Sequence, residues 1–153
     1  MDPQSLSLTE GEMPGKKTLE RARKDKAEGK APTTQAGEFV REEMEHIREG
    51  KHGARSPQQA IAIGLSKARR AGVELPPPRK GTTSEATRKK AERDLDKGHK
   101  GGTKPSAKRS QARVKALKKE SRSAASKAAL SKHAKQAAAR RRSRGKVTSS
   151  RAR

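Results

Sequence analysis

The positive charge of this chain is confined to one half of it. Of a formal net charge of +23, residues 79–153 carry +21, with 26 Lys and Arg against 5 Asp and Glu, while residues 1–78 set 14 against 12. From Lys97 onward there are 20 basic residues and one acid, Glu120. Like charges spaced along one polymer repel, so this half is expected not to collapse on itself and to find its counter-charge in a polyanion. DNA and RNA are the abundant cellular polyanions.

Apolar material is scarce. Only 27% of the residues are hydrophobic and the single aromatic residue is Phe39. That is too little for a core spanning the whole length. The main concentration lies in residues 34–78, with Phe39, Val40, Met44, Ile47, Ile61, Ile63, Leu65, Val73 and Leu75. The chain therefore divides into three units: a disordered polar N-terminus (1–33) with one short helical candidate from Thr18 to Glu28, a helical hairpin (34–78), and a basic tail (79–153). Pro76-Pro77-Pro78 forms a stiff break between the last two.

Spacing predicts the hairpin's helices. From about Gln35 to Glu49, Val40, Met44 and Ile47 share one stripe at i, i+4, i+7. Glu38, Glu42, Glu45 and Glu49 form an acidic strip on the other face, read as solvated or as a transient cradle for the basic tail. In the second helix Ser56 is the N-cap, Pro57 occupies N1 and Gln59 at N3 completes a capping box. Gly72 closes it, and Val73 can fold back as in a Schellman end. The stripe is Ile61, Leu65 and Ala68, with Gly64 beside it to permit close helix approach; Lys67 and Arg70 are expected to project away. So small a hairpin is marginal unless a partner or a second copy covers its stripe.

The tail favours helix without an apolar face. Ser84 or Thr83, Ser106 and Ser123 can each cap a segment, and breaks fall at residues 98–102 and at Lys104-Pro105. Ala, Lys and Arg favour helix, but a helix polar all round is not held by packing, so nascent helices are expected. The expected phosphate contacts are Arg88, Lys89, Lys90, Lys108, Arg109, Arg113, Lys115, Lys118, Lys119, Lys127, Lys132, Lys135, Arg140, Arg141, Arg142 and Arg144. Each phosphate neutralised releases counterions.

Specific readout is disfavoured. The chain has no zinc-finger spacing, no zipper beside the basic region and no aromatic platform for stacked bases. A helix-turn-helix presenting Lys67, Arg69 and Arg70 to a groove is weighed and set below an interaction or dimerisation hairpin, because that motif leans on a third helix. Absence of cysteine rules out disulfides and Cys-ligated zinc. His46, His52, His99 and His133 are read as surface histidines without ligand spacing. No metal ligand, cofactor or catalytic residue is expected, and the chain is not read as an enzyme. It carries no apolar run of membrane-spanning length.

Two resemblances stand on particular residues. The run Arg55-Ser56-Pro57-Gln58-Gln59-Ala60-Ile61-Ala62-Ile63-Gly64-Leu65-Ser66-Lys67-Ala68-Arg69-Arg70-Ala71-Gly72 comes after Glu43-Met44-Glu45-His46-Ile47-Arg48-Glu49-Gly50-Lys51. Together they resemble the signature of small, basic bacterial proteins of unknown function, some of them called DNA-binding. The tail around Lys104-Pro105-Ser106-Ala107-Lys108 resembles linker-histone and bacterial histone-like tails, a likeness of composition. The resulting expectation is an all-α, cytoplasmic, nucleoid-associated accessory protein that binds duplex DNA through its phosphates. RNA or the ribosome is the alternative polyanion, and the hairpin is the expected protein-contact or self-association module.

Overall fold

The computed structural model describes residues 14–101 and 106–151, with side chains as far as residue 145. The N-terminal residues 1–13 of the expected disordered segment, and the break at Lys104-Pro105, lie outside the described residues. Among the described residues, six α-helices and one 3-10 turn occur in order: α1 (Lys16–Ala27), α2 (Pro32–Arg48), α3 (Pro57–Arg70), α4 (Glu85–His99), α5 (Ala107–Lys118), the turn Ser123–Ala125, and α6 (Lys127–Arg151). The described fold is all-α.

The predicted pair is its centre. Ser56 caps α3, its Oγ accepting from the Gln59 backbone N–H at 3.2 Å. The Gln59 side chain reaches back one residue further than a capping box requires, accepting from Arg55 N–H at 2.6 Å. At the other end Gly72 takes a φ of 100°, and Val73 N–H closes on Ala68 O at 3.0 Å. Gly64 faces the Val40 backbone so closely that a Cβ there would stand 2.7 Å from Val40 Cα. The crossing of α2 and α3 therefore depends on a missing side chain.

Two apolar clusters flank that crossing. Phe39, Ala36, Ala68, Val73 and Leu75 gather with Ala22 of α1, and Leu19 and Leu65 pack against them. Met44, Ile47, Ala54 and Ala60 gather with Ala124 and Ala125, with Val40, Ile61 and Leu130 alongside. The predicted stripes are thus covered, and covered from within the chain. Ala22 and Leu19 come from α1, the short helical candidate (Thr18 to Glu28) of the segment otherwise expected to be disordered. Ala124, Ala125 and Leu130 come from the segment expected to be tail.

The break at residues 76–78 does not separate the hairpin from the basic half. Helix α4 packs on α3, where Ser66 Oγ donates to Asp94 Oδ2 at 2.6 Å and Arg70 Nε stands 3.9 Å from Asp94 Oδ1. The connecting strap is held by Arg69, which donates to Leu75 O at 3.2 Å and Pro76 O at 3.1 Å. Further along, Gly53 N–H donates to Leu117 O at 2.9 Å and Ala54 N–H to Ser121 O at 3.0 Å. The start of the basic half is thereby stitched to the loop between α2 and α3. Ser126, rather than the expected Ser123, caps α6, accepting from Ala129 N–H at 3.1 Å.

Candidate functional site

Below the α2–α3 crossing lies a buried polar cluster. Glu43, on α2, is fully buried at 0% exposure, with Lys67 of α3 at 3%, His46 of α2 at 7% and His52 of the connecting loop at 4%. Helical spacing puts Glu43 and His46 on one face at i, i+3. The tight return after Gly50 folds His52 back over them. Lys67 Nζ donates to Glu43 Oε1. His52 Nε2 stands 3.2 Å from Glu43 Oε2, and His52 Nδ1 donates to Gly53 O at 2.9 Å. The two imidazole rings meet edge to face, 6.0 Å apart.

Burial alone would push the Glu43 carboxyl up, but the facing His52 and the Lys67 ammonium outweigh it and hold it below its ordinary value. The same carboxylate raises His52 against the effect of burial. Burial dominates at His46 and lowers it, although Glu43 and Glu42 pull the other way. Two histidines six positions apart are thus shifted in opposite directions by their surroundings.

This corrects three expectations. His46 and His52 are not surface histidines; His99 alone of the four is exposed, with Nε2 2.8 Å from Glu74 Oε1. Lys67 does not project to solvent, and Arg69 is buried with it, so neither can enter a DNA groove as the helix-turn-helix reading requires. The acidic strip is not a continuous solvated face. Glu42 is buried and accepts from Gly15 N–H at 2.7 Å, Glu38 faces Arg21 at 3.8 Å, and only Glu45 and Glu49 stay outside with Arg41 and Lys51. Sequence reasoning missed the cluster, although Glu43-Met44-Glu45-His46, a Glu-x-x-His spacing used by metal sites in helical bundles, was its signal.

The expected phosphate contacts divide by element. On α4, Arg88 is held by its own helix, with Glu85 at 2.9 Å and Glu92 at 2.5 Å, and is half-buried rather than presented. Lys89 and Lys90 are exposed. On α5, Lys108, Arg109, Lys115 and Lys118 are exposed and Arg113 is half-buried; Lys119, just past its end, is exposed. On α6, Lys127, Lys132, Lys135, Arg140, Arg141, Arg142 and Arg144 are all exposed. That helix has 25 residues, about 37 Å at the α-helical rise, and contains no acid. Between the α2–α3 loop and the segment that follows α5, a cavity of about 370 Å³ is lined by Gly50, His52, Gly53, Lys118, Glu120 and Arg122.

Among the described residues no helix is long and apolar enough to cross a membrane. No curated protein and no solved structure matches the chain. Residues 23–80, which run from α1 through the α2–α3 crossing to the proline strap, are similar to a family of unknown function (DUF6496).

Proposed function

We propose that this protein binds nucleic acid through the phosphate backbone, with duplex DNA as its polymer, and acts as a nucleoid-associated accessory protein rather than as an enzyme. The observation that carries the reading is the +21 borne by residues 79–153. Support comes from the exposure of its cations along α5 and α6, where Glu120 is the single acid after Asp96. Contacts of this kind fix a protein on a polyanion without reading its sequence. Phe39, the single Phe, Tyr or Trp of the chain, is fully buried, so no phenyl, phenol or indole ring is offered to stack on an unpaired base. The same buried position favours a backbone mode over single-strand recognition.

Competition separates the polyanions. A labelled random-sequence duplex is held by the full chain and challenged in a gel shift with unlabelled duplex DNA or structured RNA at equal phosphate concentration. Displacement by DNA at the lower concentration is the expected result. Preferential displacement by RNA overturns the DNA assignment in favour of a ribosome- or RNA-associated role.

A further inference from the structure

We propose that Glu43, His46 and His52 form a binding site for one divalent transition-metal ion of the zinc class. Each residue offers one donor atom, and the three atoms lie within 4.8 Å of one another. Glu43 Oε2, His46 Nδ1 and His52 Nε2 are all buried; Oε2 and Nε2 face each other, 3.2 Å apart, and His46 Nδ1 has no hydrogen-bond partner among the described residues. Buried polar atoms of this kind are costly to desolvate and leave unmet. A single cation satisfies all three.

The ring chemistry agrees. A carbonyl only accepts, so the 2.9 Å contact to Gly53 O puts a proton on His52 Nδ1 and directs Nε2 at Glu43 Oε2, 3.2 Å away. Two donors each about 2.0–2.1 Å from a tetrahedral zinc ion stand roughly 3.3 Å apart, nearly that separation. On the other ring His46 Nε2 faces Glu42 Oε1 at 3.9 Å, leaving Nδ1 as the ligand. Backbone carbonyls and carboxylates behind ligating imidazoles are the usual supports of such sites. Lys67 occupies Glu43 Oε1 and so leaves Oε2 for the ion.

Two imidazoles and one carboxylate, with a fourth position for water, are donors that suit zinc; magnesium and calcium take oxygen shells. The ion would join α2 to the loop bearing His52. Its neighbours Gly53 and Ala54 hydrogen-bond to Leu117 and Ser121, so the site sits at the seam between bundle and basic half.

The test titrates the metal-stripped full chain with ZnCl2 and with CoCl2. One equivalent per chain, with the intense visible bands of four-coordinate Co2+, is expected. In the unmodified protein, 15N shifts of the imidazole nitrogens should move at His46 and His52 and stay still at His99 and His133. His46→Gln and His52→Gln should each weaken binding by more than the roughly 10–100-fold typical of an outer-shell partner, whereas Lys67→Met, which removes a repelling charge, should tighten it. Absence of saturable binding at millimolar Zn2+ overturns the proposal. So do ring shifts confined to His99 or His133, a result that needs no variant to fold.

Discussion

Glu43 is the fully buried charge at the centre of the polar cluster. It is a carboxylate with no exposure, facing an ammonium on one oxygen and an imidazole on the other. Taking such a charge out of water is offset only while its partners remain. Lys67→Met keeps most of the stem's volume and removes the charge, so it should destabilise the metal-free fold by about 3–5 kcal/mol, the usual consequence of breaking a buried pair; urea unfolding followed by circular dichroism measures it. Acid should act through the same group. The folded carboxyl lies below its ordinary value of 4.5, so the unfolded chain takes up a proton first as pH falls. The stabilisation is complete above pH 4.5 and is lost as pH falls through the folded value. Urea midpoints measured from neutral to acid pH should therefore decline in the parent and decline less in Glu43→Gln. Identical acid limbs would contradict this role.

Among the elements, α3 was the most legible. Its cap, first-turn proline and closing glycine are local signals with counterparts in the structure, whereas of the stripe only Ala68 is fully buried; Ile61 and Leu65 stay half-buried, and Ala60, Gly64 and Lys67 take the inner face. Ser56→Ala should cost about 1 kcal/mol by removing the cap. Gly64→Ala should cost roughly 1–3 kcal/mol, because a methyl group there must push Val40 away. Thermal melts of the two variants check both, and a neutral Gly64→Ala would mean that α2 and α3 do not cross so closely. The polar interior was not legible in the same way. The burial of Lys67 depends on a carboxylate on another helix, and that of His52 on a loop return after Gly50. Periodicity within one helix carries neither fact. The same holds for α1 and α4: Ala22 and Ala91 are buried, yet alanine adds little to an apolar stripe read from sequence. Small side chains let helices come close without announcing it.

Taken whole, the molecule divides its charges by what they face. Among the described residues up to 101, the acids are largely engaged: Glu43 with Lys67, Asp94 with Ser66 and Arg70, Glu85 and Glu92 with Arg88. Beyond them the cations of α5 and α6 greatly outnumber acids, and among the described residues the first turn of α6 packs on an apolar cluster through Leu130. A bundle thus holds one end of a long basic helix, whose cations are expected to meet phosphate. Replacing Arg140, Arg141, Arg142 and Arg144 by Gln should weaken duplex binding and shallow its salt dependence by about 3.6 units of slope, about 0.9 for each phosphate no longer neutralised. Helix content of the bundle should not change.

The most direct measurement is the affinity of the full chain for a random-sequence DNA duplex over a series of KCl concentrations. If about 10 phosphates are engaged, log K falls linearly with log salt at a slope near −9. A slope near zero, or no binding at low salt, would contradict phosphate-backbone binding by the basic half.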